Sequence, residues 1–339
     1  GVENAIERAY KALEENPGKR IFLLSQMIHN QAVNKDLEEN GIRFIMDTEG
    51  NQFIPWEDIS QDDVVLIPAF GTTLEIEALL KEKGIDVATY NTTCPFVEKV
   101  WNRSKKLSEE AYTIIIHGKP IHEETRATFS HAASNGPSIV IKNMKEAQIL
   151  GELILKDATE KEFLEHFSGR LSKDFSFPKD LKRVGVVNQT TMLASDTQAI
   201  ADYFKQVMLE KYGEENIQEH FADTRDTLCY ATNDNQTATL ELLQEKADFA
   251  LVVGGYNSSN TSHIVELLEQ KFPTYFINSA ECLAPSAISH WDYPNKKELL
   301  TENWLDGKIK KPRVILTSGA SCPDSLLEAV LNRLDEVLA

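Results

Sequence analysis

Short, mostly apolar runs alternate with amphipathic stretches along the 339 residues of the chain. The apolar runs predict buried strands at 21–24, 42–46, 64–67, 87–90, 113–116, 139–141, 184–187, 249–253, 275–277 and 314–316. Apolar residues three and four positions apart predict helices at 2–13, 31–39, 73–83, from 94 onward, and at 195–211, 236–246, 262–271 and 324–338. Strands that alternate with helices in this way indicate βαβ units.

This alternation predicts an α/β fold with mainly parallel sheets. Boundaries near residues 94 and 228 would divide the chain into three α/β lobes, 1–93, 94–227 and 228–339, the last with a C-terminal helix. The stretch 159–180 is charged, rich in phenylalanine and without a clear period. We therefore interpret it as an insertion in the second lobe.

The composition excludes several classes of protein. With 35 Lys and Arg against 53 Asp and Glu, the formal net charge is −18, which disfavours binding to nucleic acids or anionic membranes. The four cysteines are too few and too scattered for a fold built on disulfides. No apolar run approaches the roughly 18 residues of a membrane-spanning helix. The sequence begins with Gly1, so we expect residues to precede it.

Polar residues that could bind a ligand follow many of the predicted strands. In an open parallel sheet, ligands bind beyond the carboxyl ends of the strands. The residues there lie at 29–30, 70–73, 92–95, 117–124, 188–191, 254–260 and 318–322. A single Ser, Thr or Asn before a helix is usually an N-cap, but the run NSSNTS at 257–262 offers more donors than a cap needs and suits a phosphate. The chain has no GxGxxG or Walker motif, which disfavours dinucleotide and NTP binding.

Six segments in order carry a resemblance to a known family. They are TTCPFVEKVWN, IIHGKPIHEETRATF, VNQTTML, LCYAT, LVVGGYNSSNTSH and TSGASCPD, and they resemble the IspH/LytB family of hydroxymethylbutenyl diphosphate reductases, in its plant and cyanobacterial branch. The resemblance implies a three-lobed α/β fold around a central iron–sulfur cluster. It also implies the two-electron reduction of (E)-4-hydroxy-3-methylbut-2-enyl diphosphate to isopentenyl and dimethylallyl diphosphate. This is the last step of the methylerythritol phosphate route to isoprenoids.

The resemblance implies one 4Fe–4S cluster per chain, held by three cysteines. Cys94 and Cys229 match two of these ligands. The third belongs to a Cys-x-Gly-Val motif and would lie two positions before Gly1, so we interpret the sequence as truncated at its N-terminus. Three thiolates leave one iron open as a Lewis acid for the substrate hydroxyl. Cys282 and Cys322 match no cluster position and are expected to be structural.

The other site residues also follow from the resemblance. Glu124 matches the catalytic proton donor of the family, and Thr190 matches the threonine that binds the substrate oxygen and passes on the proton. The residues that match the diphosphate-binding positions are His29, His122, Ser258, Ser259, Asn260 and Ser321. Many bacterial members carry a further histidine where this chain has Phe70.

The resemblance implies a ferredoxin- or flavodoxin-type electron donor and a location in the cytoplasm, or in the plastid stroma of a plant or alga. Basic side chains for docking follow Cys94, at Lys99, Arg103, Lys105 and Lys106. The oligomeric state stays open.

Two alternatives remain at this point. One is a non-catalytic homologue that binds a diphosphate without a cluster. The other is a zinc hydrolase using His117, His122, His131 and Glu124, although the spacing of His117 and His122 is not the i, i+4 spacing of a helical zinc pair.

Overall fold

The computed structural model describes residues 2–224, 230–305 and 311–338. The chain divides into two units. The first comprises Gly1–Met27 and Leu37–Cys229, and the second comprises Ile28–Asp36 and Tyr230–Ala339. The first unit contains two separate sheets, and the second contains a third sheet and a hairpin.

The first sheet is parallel and has three strands in the order β2-β1-β3. Its strands are β1 (Ile21–Leu23), β2 (Ile42–Phe44) and β3 (Val64–Leu66), and the helices of this region are α1 (Val2–Glu15) and α3 (Leu74–Glu82). Helix α2 (Gln31–Glu39) follows β1 in the chain, and its residues 31–36 belong to the second unit. Buried apolar side chains from β1, β3 and α3, among them Phe22, Val65 and Leu80, form the core of the first sheet. Strands β1 and β3 are apolar throughout because both of their faces are covered, whereas β2, at the edge of the sheet, carries the exposed Arg43.

The predicted strand at 87–90 is wrong. Within the described residues, the β-pairing of this stretch with the first sheet is limited to a bridge between Ile67 and Asn91. The carboxylate of Asp86 accepts hydrogen bonds from the backbone N–H groups of Ala88 and Thr89 and from the Thr89 hydroxyl. These bonds close a turn and use the N–H groups that a strand would offer to its neighbour.

The second sheet also lies in the first unit and has the order β5-β4-β6-β7, with parallel pairs throughout. Its strands are β4 (Thr113–His117), β5 (Ser138–Ile141), β6 (Val184–Asn188) and β7 (Phe221–Ala222). The helices of this region are α4 (Pro95–Glu109), α5 (Glu123–Ala133), α6 (Met144–Leu155), α7 (Glu160–Phe167), α8 (Ala194–Tyr212) and α9 (Ile217–His220).

The stretch 159–180 packs against this second sheet. Thr159 and Glu162 form a capping box that starts α7. Phe163, Phe167 and Phe177 are buried in the same core as the strands and α8, and the rings of Phe163 and Phe177 stack with centroids 4.5 Å apart. The phenylalanines that obscured the helical period are therefore core residues.

In the second unit, a parallel sheet has the order β12-β8-β9, and a two-stranded antiparallel hairpin follows β9. The strands are β8 (Phe249–Val253), β9 (Thr274–Ile277), β10 (Ala287–Asp292), β11 (Lys297–Glu302) and β12 (Val314–Ser318), and the helices are α10 (Tyr230–Leu242), α11 (Ser259–Leu268) and α12 (Asp324–Leu338). The sequence pattern did not predict the hairpin of β10 and β11.

The predicted mainly parallel α/β fold is confirmed. The three-lobe boundaries at residues 94 and 228 stay a prediction. Of the helices in the described residues, none has both the length and the apolar character to cross a membrane.

Candidate active site

One part of the candidate site lies where β4 and β6 end. His117 and Asn188 are partners at the last position of these parallel strands, so the loops that follow leave the same edge of the sheet. The side-chain carbonyl of Gln189 accepts hydrogen bonds from the Lys119 N–H (3.1 Å) and the Thr125 hydroxyl (3.0 Å). Gln189 therefore joins both loops to the start of α5, a role that the sequence did not reveal.

Glu124 lies in the first turn of α5 and is only 1% exposed. Its Oε1 accepts a hydrogen bond of 2.5 Å from the Thr190 N–H, and the side chain of Thr190 also bonds to it. Within the described residues, Oε2 is buried and has no hydrogen-bond partner. One carboxyl oxygen is thus fixed, and the other can meet a ligand.

Burial raises the pKa of Glu124 to about 7. The bonds from Thr190 oppose this shift because they stabilise the carboxylate, whereas the nearby charge of Glu123 adds to it. Glu124 therefore exchanges a proton near neutral pH, which suits a general acid.

His122 is the N-cap of α5. Its Nδ1 accepts a hydrogen bond of 3.1 Å from the Glu124 N–H, so the neutral ring carries its proton on Nε2 and presents an N–H donor there. The ring of Phe70 meets the His122 ring edge-on, with centroids 5.5 Å apart. Glu123, between the two site residues, accepts a hydrogen bond from the Ser25 hydroxyl. The structure thus brings His122, Glu124 and Thr190 together.

Cys94 is the N-cap of α4, is partly buried and forms no disulfide with any described residue. Its backbone N–H donates to the Ala69 carbonyl (2.9 Å), and its side chain makes no capping bond. A helix N-terminus favours the thiolate form of a cysteine, which is the form that binds metals. Cys229 lies outside the described residues.

The other cysteines of the described chain are in different surroundings. Burial raises the pKa of the Cys322 thiol to about 11, so this thiol stays protonated. The Cys282 thiol bonds to the Asn278 side chain at 3.4 Å. Two of the histidines considered as zinc ligands make other contacts, in different places. His117 hydrogen-bonds to Thr197, and His131 stacks on Trp101. Among the described residues, no three His, Cys, Asp or Glu side chains form a group that could hold a metal ion.

In the second unit, α11 begins directly beyond the end of β8. Ser258 is its N-cap and accepts bonds from the backbone N–H (3.2 Å) and the hydroxyl (3.0 Å) of Thr261. The loop after β12 is held at the same edge because the Gly319 N–H donates to the Val253 carbonyl at 3.0 Å. Ser321 follows two residues later and is partly exposed.

Asn260, in the first turn of α11, is 3% exposed. In the described part of the chain, neither its Oδ1 nor its Nδ2 has a hydrogen-bond partner. A buried amide without partners costs free energy, about 1–3 kcal/mol for each unpaired group. This arrangement is typical of a side chain that pairs with a ligand.

His29 lies close to this helix start and is buried. Gly255 packs directly against the His29 carbonyl, where a Cβ atom would overlap it, so only glycine fits. The Gly255 carbonyl in turn accepts the Ser258 N–H at 2.9 Å. The backbone of His29 therefore packs against the loop that carries Ser258 and Ser259. Both serines are buried.

Comparison with known proteins gives consistent matches. Residues 1–335 match the family model described as LytB protein. A 4-hydroxy-3-methylbut-2-enyl diphosphate reductase of Crocosphaera subtropica is 42% identical over 340 residues, which cover 99% of this chain and 81% of that protein. The enzyme of the same name from Trichormus variabilis is 40% identical over 98% of this chain and 81% of its own length.

Solved structures agree in fold. The E-1-hydroxy-2-methyl-but-2-enyl-4-diphosphate reductase of Plasmodium falciparum superimposes with a TM-score of 0.68 at 23% identity, over 98% of this chain and 83% of that one. A structure titled (E)-4-hydroxy-3-methyl-but-2-enyl diphosphate reductase, the terminal enzyme of the non-mevalonate pathway, gives a TM-score of 0.55 at 25% identity, over 99% and 94% of the two chains. The resemblance seen in the sequence motifs is confirmed, and the chain belongs to the LytB protein family.

Proposed function

We propose that the chain is a 4-hydroxy-3-methylbut-2-enyl diphosphate reductase. It takes up two electrons and two protons, breaks the carbon–oxygen bond at C4, and releases water with isopentenyl or dimethylallyl diphosphate. The observation that supports this most strongly is Glu124, a buried acid with a pKa of about 7 and one unpaired oxygen, held by Thr190. The relatives that carry this name support the choice of substrate.

We propose Cys94 and Cys229 as ligands of a 4Fe–4S cluster. The partly buried thiol of Cys94, at the start of α4, suits a thiolate ligand. When bound, such a cluster supplies electrons and a Lewis-acidic iron.

We assign the transfer of the two protons to Glu124 and Thr190. With Oε1 fixed by Thr190, protonated Glu124 holds its proton on Oε2, the oxygen that has no partner among the described residues. One proton converts the leaving hydroxyl into water, and we assign the Thr190 hydroxyl to bind the substrate oxygen and pass the proton on. The second proton is delivered to the carbon skeleton. Because Thr190 and Glu124 are both buried, bulk water does not compete for the proton.

The oxygen atoms of a diphosphate need hydrogen-bond donors, and the described residues include several buried side chains that can donate. Those proposed to bind it are the Nε2–H of His122, and in the second unit His29, Ser258, Ser259, Asn260 and Ser321. The start of α11 adds backbone N–H groups and the positive end of the helix dipole. These local donors bind an anion even though the chain carries a net charge of −18.

We propose a ferredoxin- or flavodoxin-type protein as electron donor. Helix α4, which begins directly after its N-cap Cys94, exposes Lys99, Lys105 and Lys106. Cations near a cluster ligand on an acidic protein can steer a negatively charged donor to that position.

The proposal is tested by metal and sulfide analysis of the protein expressed from its complete reading frame and purified without oxygen. A brown protein with iron and acid-labile sulfide in equal amounts, about four of each per chain, is the expected result. A colourless protein without iron would indicate the cluster-less homologue, and stoichiometric zinc without sulfide would indicate the hydrolase.

The pKa of Glu124 predicts the pH dependence of turnover. Only the protonated acid can donate, so kcat is constant below pH 7 and falls about tenfold per pH unit above it. Glu123→Gln removes a neighbouring negative charge that raises the pKa of Glu124, so the fall moves to lower pH. Steady-state rates measured from about pH 6 to 9 at saturating substrate check both statements. A flat profile in the wild type would exclude Glu124 as the limiting proton donor.

A further inference from the structure

A short loop, residues 68–73, lies between two residues of the proposed site. Its Ala69 carbonyl accepts the backbone N–H of Cys94 at 2.9 Å. Its Phe70 ring meets the His122 ring edge-on, with centroids 5.5 Å apart and an interplanar angle of 88°. The position of the 68–73 loop therefore determines how Phe70 contacts the His122 ring.

Trp101, on α4, supports this loop from one side. Gly71 has φ +75° and donates its N–H to the Pro68 carbonyl at 2.9 Å, which makes a tight turn. A Cβ atom at Gly71 would overlap the indole ring of Trp101, so the loop backbone lies directly against that ring. The indole is held in turn by a hydrogen bond of 3.1 Å from its Nε1 to the Thr128 hydroxyl.

His131, in the last turn of α5, lies against both Trp101 and the 68–73 loop. Its ring stacks on Trp101 with centroids 3.7 Å apart and an interplanar angle of 11°. The Thr72 backbone acts against burial and favours the protonated form of the His131 ring, so this part of the loop lies beside the ring. Burial lowers the pKa of His131, so the ring stays neutral in this stack.

We propose that Trp101 and His131 are positioning residues for the reaction: together they fix the 68–73 loop and, through Phe70, set the ring of His122 for the diphosphate. The proposed link runs from Trp101 to the neighbouring Gly71 and, through the loop backbone, to Phe70 and the His122 ring. The inference rests on the proposed function in one respect, the assignment of His122 to the diphosphate. Where a bacterial member would carry a histidine, this chain uses Phe70 as a packing element.

Two variants and a rescue test the proposal in the complete holoenzyme. Trp101→Leu and His131→Leu each remove the stacking contact between residues 101 and 131, and Trp101→Phe keeps an aromatic ring that can stack on His131. We expect both leucine variants to raise KM about tenfold and to weaken binding of inorganic diphosphate similarly, with kcat changed less than about twofold. Trp101→Phe should stay within about threefold of the wild-type KM.

The chain offers a matched control. Tyr212 and His220 form a second stack, with centroids 3.6 Å apart, in which His220 also bonds to a backbone carbonyl, that of Lys182. Tyr212→Leu should leave KM unchanged. An equal rise in KM for Tyr212→Leu would show a general loss of stability and would overturn the proposal, as would unchanged KM in both stack variants.

A double-mutant cycle tests the route through Phe70. Phe70→Ala alone should raise KM, and Trp101→Leu or His131→Leu should add almost nothing in that background, because the contact to His122 is already lost. Additive effects would contradict the route. If Trp101→Leu does not fold, the cycle is completed with His131→Leu. A wild-type protein that does not reduce the substrate contradicts the proposed function, whereas a working enzyme with unchanged variants contradicts only this inference.

Discussion

Replacing Glu124 by glutamine should lower kcat by about 10²–10⁴-fold while KM changes little. The amide has nearly the same shape and can still accept the Thr190 N–H, so the local structure is kept. It has no acidic proton, however, for the leaving oxygen at the Oε2 position. Single-turnover and steady-state rates with the reduced enzyme, together with the iron content of the variant, measure this effect separately from cluster loss.

Glu123→Gln is the matched control for that variant. Glu123 is the preceding residue on α5 and is also buried, but its carboxylate accepts a bond from the Ser25 hydroxyl and is not assigned a proton-transfer role. On the acid plateau of its own pH profile, where Glu124 is fully protonated, its kcat should stay within about threefold of the wild type. If Glu124→Gln turned over at the wild-type rate, or if both variants lost activity equally, Glu124 would not be the proton donor.

Replacing Cys94 by serine should remove most of the iron and acid-labile sulfide and abolish turnover. A serine hydroxyl is a poor ligand for iron in such clusters, and loss of one ligand in a three-thiolate site leaves the cluster weakly held. The visible absorption of the anaerobically purified variant and its iron and sulfide content measure this directly. Circular dichroism shows whether the secondary structure is kept.

Cys282→Ser and Cys322→Ser are the matched controls for Cys94→Ser. Both thiols are partly buried, as Cys94 is, but Cys282 bonds to Asn278 and burial holds Cys322 protonated. Both variants should keep wild-type iron content and more than about half of the activity. Full iron content in Cys94→Ser would contradict the assignment of Cys94 as a ligand.

Much of the fold could be predicted from the sequence because buried parallel strands are apolar throughout. The runs that became β4, β6 and β8 have this character, and their ends indicated where polar residues gather. One stretch differs for a local reason: the side chain of Asp86 closes a turn where a strand was predicted. In 159–180 the helical period was obscured because Phe163 and Phe177 pack against each other in the core, and the assignment of this stretch as an insertion stays a prediction.

The site itself could be predicted only in its residue types. Motif resemblance singled out Glu124 and Thr190, but their direct contact and the raised pKa depend on burial, which comes from the packing of α5 against the second sheet. The sequence offered His131 only as a candidate zinc ligand and gave no signal for Trp101, because aromatic residues at helical spacing usually belong to a core. Only the position of Gly71 against the indole connects them with the site.

The central claim, that the chain is a reductase of this substrate, is tested most directly by turnover. The holoprotein, reduced and mixed with (E)-4-hydroxy-3-methylbut-2-enyl diphosphate, is analysed for its products by chromatography and mass spectrometry. We predict isopentenyl and dimethylallyl diphosphate together, with two electrons consumed per molecule of product. Recovery of unchanged substrate by an iron-loaded protein, or release of inorganic phosphate in place of the two isomers, would contradict the account.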